Sequence, residues 1–182
     1  MPITASTPLE LLRAVANSYH ELEAREEGST EGRRWLPAHD HLDTSESALD
    51  FLHRSGVRLS DAPQARHLAR LREIRAAARA LVENRRSYER RTARLLSRLR
   101  FRLDTDGRLR PMRTGWDGFV DGLMPTLVEL GDHAERLKLC ENEQCRWLFI
   151  DRSKNRSRQW CESETCGNRQ RVRRFRQRLG AA

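Results

Sequence analysis

The sequence predicts an α+β protein. A predominantly helical N-terminal domain with a short β-hairpin, residues 1–135, precedes a small four-cysteine module, residues 136–182, that ends in a basic helix. Three observations predict this. Apolar residues recur at three- and four-residue steps through most of the N-terminal part. Two short strand-prone runs flank an Asp106–Gly107 dipeptide. The only cysteines, Cys140, Cys145, Cys161 and Cys166, form two C-x4-C pairs separated by fifteen residues.

Residues 6–26 carry Leu9, Leu12, Val15, Ala16, Tyr19 and Leu22 at helical spacing, with Ser6 or Thr7 as cap and Pro8 in the first turn. Residues 27–43 have no clear period and read as a connection. Thr44 or Ser45 caps a second helix that turns Leu49, Phe51 and Leu52 inward and ends near Gly56. A long helix follows, capped by Asp61 with Pro63 early in it, through Leu68, Leu71, Ile74, Ala78, Leu81 and Val82. A break near Asn84–Ser87 separates it from a helix running to about Arg98. FRLD (101–104) and DGRLRPM (106–112) predict the hairpin. Trp116 to about Glu129 is amphipathic, with an interruption or a bend expected near Pro125. Residues 132–139 lead into the first cysteine.

Hydrophobic residues make up 37 % and charged residues 34 %, which describes a polar globular chain. No run of apolar residues is long enough to span a membrane. The N-terminus lacks a basic start followed by an apolar run, so a cytoplasmic location is expected. Net charge is +9, and the stretch from Arg146 onward holds ten arginines and Lys154 against three carboxylates. Nearly all the excess positive charge therefore sits beside the cysteines, where a polyanion would feel it first.

A reducing compartment suits four free thiolates on a metal better than two disulfides. Zinc(II) takes soft thiolates and closes tetrahedrally around four of them. The expected cofactor is one structural Zn2+ on Cys140, Cys145, Cys161 and Cys166, with iron as the competing metal. Two ligands on a loop and two near a helix start suggest a treble-clef-like module. Forty-odd residues bury too little apolar area to fold securely without a metal. The segment Arg146–Asp151 is aromatic and β-branched enough for one strand, and Trp147 or Phe149 should cover the metal. Cys166 would sit at a helix N-terminus, where the dipole favours a thiolate. Gly167 would allow close backbone approach to the metal. Asn168 either bonds a backbone group or ligand sulfur, or reads a base. Asp151 should fix the loop. Arg169 either pairs with Asp151 or contacts phosphate.

On the final helix, Val172, Phe175 and Leu179 share one side and should pack inward. Gln170, Arg173, Arg174 and Gln177 lie opposite. Arginine can clamp phosphate or pair with guanine, and glutamine can read adenine. The expected nucleic-acid contacts are therefore Lys154, Arg156, Arg158, Arg169, Gln170, Arg173, Arg174 and Gln177.

Cys166-Gly167-Asn168-Arg169 resembles the signature of the CGNR zinc-finger family of bacterial proteins. Cys145-Arg146-Trp147-Leu148-Phe149, Asp151-Arg152-Ser153-Lys154-Asn155 and Arg158-Gln159-Trp160-Cys161 agree with it, so the resemblance covers 140–176. It implies zinc on the four cysteines and DNA contact around Asn168 and Arg169. Such proteins are described as stress-induced transcription regulators with an N-terminal α/β domain called ABATE, which residues 45–135 resemble more loosely. The family's N-terminal Asp-Phe-x-Asn-Thr-like segment is echoed here only by Asn17 and Ser18.

Catalytic motifs are missing. There is no G-x-G-x-x-G, Walker loop, H-E-x-x-H or G-x-S-x-G, and no cysteine is left over for nucleophilic work. His39-Asp40-His41 could bind a metal from an extended strand, although a solvated loop is the commoner use of such a cluster. Arginines between Arg70 and Arg100 form either a solvated face or a second phosphate-facing stripe. The expectation is a DNA-binding transcription regulator, not an enzyme, whose N-terminal domain forms a homodimer or senses an unidentified small molecule. The alternative is a zinc-stabilised adaptor that binds an acidic protein or RNA.

Overall fold

The computed structural model describes residues 7–20, 39–59, 61–132, 134–143 and 145–180. Ser6, residues 21–26, most of the connection 27–43, and His133 lie outside them. The described residues divide into two compact units, one reaching Tyr19 and then running from Asp40 to Ala134, the other running from Glu135 onward together with His20 and His39.

The first unit is helical. α1 (Pro8–Ala16) starts with a reciprocal cap in which the Thr7 hydroxyl accepts from the Glu10 N–H and the Glu10 carboxylate accepts from the Thr7 N–H. It stops ten residues short of the expected end. Asn17 terminates it, and the Ser18 hydroxyl donates to the Val15 carbonyl at 2.8 Å. The chain then extends as β1 (Tyr19–His20), which pairs with β2 (His39–Asp40). α2 (Ser45–Arg54) is capped by Thr44 through the Ser47 N–H.

α3 (Ala65–Glu83) begins later than expected, with Gln64 as cap and the His67 ring accepting from the Gln64 N–H at 3.0 Å. Asp61 and Pro63 instead use their carbonyls on other elements. The Trp116 indole donates to Asp61 at 2.7 Å, and the Ser45 hydroxyl donates to Pro63 at 2.6 Å. Asn84 both ends α3 and caps α4 (Arg85–Leu96) through the Ser87 N–H. β3 (Phe101–Leu103) and β4 (Leu109–Pro111) form the predicted antiparallel hairpin, with Phe101 opposite Pro111 and Leu103 opposite Leu109. Gly107 takes the left-handed conformation its turn requires, at φ 75°.

α5 (Gly115–Asp132) runs through Pro125 as one helix, without the interruption expected there. α3 is central and packs against α1, α4 and α5. Leu12, Leu52, Leu71, Ile74, Val120, Met124 and Leu127 are fully buried between these helices. A polar clamp joins α3 to α5. Asp121 is wholly buried and accepts from Arg70 at 2.5 Å and from Arg113 at 2.6 and 2.7 Å.

In the second unit, β5 (Leu137–Leu139) and β6 (Leu148–Ile150) pair antiparallel, Leu137 facing Ile150 and Leu139 facing Leu148. A π-turn (Ser163–Gly167) leads into α6 (Asn168–Gly180). Leu137, Leu148 and Phe149 are buried and form the small apolar core of this unit.

Candidate metal centre and basic surface

The β5–β6 hairpin sets the first two sulfurs. Cys140 follows β5 directly, and its N–H donates to the Trp147 carbonyl at 2.9 Å, which carries the ladder past the strand ends. The loop between turns tightly because the Asn142 carbonyl accepts from both the Cys145 N–H at 2.8 Å and the Arg146 N–H at 3.0 Å. Cys161 closes the long loop after β6. Cys166 lies in the π-turn just before α6, at the positive end of that helix.

The four ligand sulfurs lie within 4.8 Å of one another. Cys145 and Cys161 are 3.6 Å apart and Cys161 and Cys166 are 3.7 Å apart, far beyond a disulfide bond. Four sulfurs at roughly 2.3 Å from a zinc ion would be separated by about 3.8 Å along the edges of a tetrahedron. The donor set and its spacing are thus those of a structural zinc site. Among the described residues this is the one cluster of histidine, cysteine and carboxylate groups able to hold a metal. Cys140 and Cys166 are buried, and Cys145 and Cys161 are half-buried.

The closeness of the four sulfurs argues for a cation. The Cys140 thiol is lowered to about 7, first by hydrogen bonding from Cys145, and Cys166 is lowered chiefly by Cys140. Cys145 and Cys161 are both raised, chiefly by Cys140. Without a cation the sulfurs share protons because four adjacent thiolates repel. A divalent ion removes that conflict.

Asn142, which the sequence analysis passed over, supports the cluster directly. It is buried, its side-chain amide donates to the Cys166 sulfur at 3.6 Å, and its carbonyl oxygen accepts from Gln170 at 3.3 Å. Asn168, for which a bond to a ligand sulfur is one of the expected roles, has an exposed side chain at the start of α6. Gly167 also serves a different neighbour from the one expected. A Cβ there would lie 3.1 Å from the Trp160 ring, so its missing side chain admits the indole.

Asp151 fixes the loop as expected. Burial alone would raise its pKa. The Lys138 ammonium at 2.8 Å, the Ser153 hydroxyl and the Ser153 and Arg158 amides hold it well below the usual carboxylate range. Lys138 also donates to the carbonyls of Arg156 and Arg158, the latter at 3.0 Å. Arg156 adopts the left-handed conformation at φ 51°. Lys138 sits on β5, a strand of three residues with too little alternation for the sequence to reveal it.

The expected nucleic-acid residues fall into different environments. Lys154, Arg156, Arg173, Arg174 and Gln177 are exposed. Arg158 is half-buried, stacks its guanidinium over Phe149 at 5.5 Å and donates to the Cys161 carbonyl. Gln170 is half-buried against Asn142, and Arg169 is half-buried at the helix start. Arg173 has Glu143 at 3.9 Å.

One expectation is overturned. Val172, Phe175 and Leu179 do not pack inward and remain 42 %, 62 % and 64 % exposed. A helical period shows that a stripe exists, and the described residues leave it largely exposed.

Elsewhere, Asp40 of the His39-Asp40-His41 segment is taken by Arg75, with bonds of 2.6 and 2.8 Å, and by the Leu42 N–H. Burial opposes ionisation of this carboxyl, but these bonds outweigh it and lower its pKa. His41 stacks on Phe51 at 4.7 Å. Ser18 also accepts from Arg75 at 3.1 Å. Arg70, Arg72, Arg75 and Arg91 are engaged by Asp121, the Leu42 carbonyl, Asp40 and Glu73 respectively. Among the described residues no helix is long and apolar enough to cross a membrane.

Comparison with curated proteins found no match. Residues 136–179 match the family model described as "CGNR zinc finger". Residues 10–136, well over half the chain, match the ABATE model, described as "Putative stress-induced transcription regulator". The chain therefore belongs to the ABATE family, described as one of transcription regulators, and it ends in a CGNR zinc finger.

Proposed function

We propose that this chain is a DNA-binding transcription regulator whose C-terminal module is built on one structural Zn2+ held by Cys140, Cys145, Cys161 and Cys166. The observation that carries the proposal is the four-sulfur cluster seated at the start of a helix whose residues 171–179 are exposed and rich in arginine. Four thiolates leave no coordination position open, so the ion supplies shape and charge neutralisation rather than Lewis-acid chemistry. Metal binding then fixes where α6 begins, and α6 presents Arg173, Arg174 and Gln177 to a duplex. Lys154 and Arg156 extend the same positive surface to phosphates. Free thiolates on a metal suit the reducing cytoplasm. The N-terminal domain forms the homodimer or holds the effector. Two modules per dimer would strengthen a weak electrostatic contact through effective concentration.

The test reverses charge at Arg173 and Arg174, which are exposed, Arg173 with Glu143 at 3.9 Å. The paired substitution Arg173→Glu, Arg174→Glu should weaken binding to random duplex DNA at least about tenfold and flatten its salt dependence. Unchanged affinity, with zinc retained, contradicts the proposal. A strong preference for A-form over B-form duplex would redirect it to RNA.

A further inference from the structure

α6 has a second face, opposite the one assigned to DNA. Val172, Phe175 and Leu179 follow steps of three and four residues, the a–d–a spacing of a coiled-coil seam. Their exposures of 42 %, 62 % and 64 % leave this seam uncovered among the described residues. The flanking e and g positions are Arg171, Arg176 and Arg178, all exposed, and no acid occurs anywhere in Asn168–Gly180. Gln170, Arg173, Arg174 and Gln177 fall on the opposite side of the wheel.

Charge at e and g positions chooses the partner of such a seam. A second copy of α6 would set arginine against arginine along both edges, so self-pairing is opposed. Interfacial membrane binding scales with the apolar area buried, and three side chains in a stripe of about 60° bury little. Duplex DNA offers charge but no apolar ridge to fill the seam. An acidic amphipathic helix satisfies both features at once.

We infer that the Val172–Phe175–Leu179 seam docks an acidic amphipathic helix of a partner protein, with apolar residues at its a and d positions and carboxylates at e and g. Arg171, Arg176 and Arg178 pair with those carboxylates. The seam spans about two turns, so the affinity falls in the range of about 1–100 μM. The face assigned to DNA stays open, so one helix can hold a partner and a duplex together.

The test uses the zinc-loaded full-length protein and a labelled three-heptad peptide with leucine at a and d and glutamate at e and g. A control peptide keeps the glutamates and carries serine at a and d. The leucine peptide should bind in the stated range at physiological salt, and the serine control at least about tenfold more weakly. Phe175→Ser should weaken the leucine peptide by about tenfold or more while duplex affinity changes less than about twofold. Equal binding of both peptides, no binding at about 100 μM, or an unaffected Phe175→Ser variant overturns the inference. So does finding that Phe175 governs only self-association or binding to anionic lipid vesicles. Failure of DNA binding alone would leave this result standing, because the peptide assay contains no nucleic acid.

Discussion

Asp151 holds the residue-scale logic of the metal module. One carboxylate gathers an ammonium, a hydroxyl and two backbone amides, so the loop between β6 and Cys161 closes around it. Asp151→Asn keeps the shape but removes the charge that Lys138 faces. The module's unfolding midpoint, followed by the amide shifts of β5 and β6, should fall by about 5 °C or more. The folded carboxyl titrates below its free value, so its contribution is complete above the unfolded pKa of about 3.9 and is lost as pH falls through the folded value. The gap between wild type and Asp151→Asn should therefore stay constant from about pH 5.5 to about pH 8. A gap that changes across that window would show that another group carries the effect. Asn142 is the second such residue. Asn142→Ala should leave the fold intact and weaken zinc affinity about 10- to 100-fold in a chelator competition, because it removes the amide that orients Cys166. An unchanged affinity would reduce the contact to coincidence.

Elements show which parts of the structure were legible in advance. Thr7 and Thr44, each one of two cap candidates, the break at Asn84 and the 101–111 hairpin follow from strong local signals, and the structure has them. The cysteines were legible because metal chemistry demands particular side chains at particular spacing. Other features carry no local signal. The apolar period of α1 continues through Tyr19 and Leu22, which hid the stop at Asn17 and Ser18. β5 is too short to alternate clearly. Asn142 is one polar residue in a polar loop, and only its place between Cys140 and Cys145 hints at a role. The solvent-facing stripe of α6 depends on what other elements supply, which no period reveals.

At this scale the clamp on Asp121 predicts that Asp121→Asn destabilises the α3–α5 contact by about 2 kcal/mol in denaturant unfolding. That is below the usual cost of breaking a buried ion pair because Arg70 and Arg113 keep access to solvent. A change within about 0.5 kcal/mol would show that the clamp contributes little. Chelation should unfold residues 135–180 while most helicity of residues 7–132 survives in circular dichroism. Native amide shifts persisting in the module after complete metal removal would contradict this.

Across the whole molecule, the two compact units divide composition as well as structure. The helical unit spends much of its arginine on internal partners such as Asp121, Asp40 and Glu73. The module keeps exposed positive charge on Lys154, Arg156 and α6. Residues 1–135 are nearly neutral and the stretch from Arg146 onward is strongly basic, which is the division the proposed contact with a polyanion calls for. The most direct measurement is equilibrium binding of full-length protein to labelled random duplex DNA across salt, with and without zinc. The account predicts micromolar or tighter affinity for the zinc-loaded protein, weakening steeply as salt rises, and loss of most of that affinity on chelation. No binding at low salt, or binding indifferent to zinc, would contradict it.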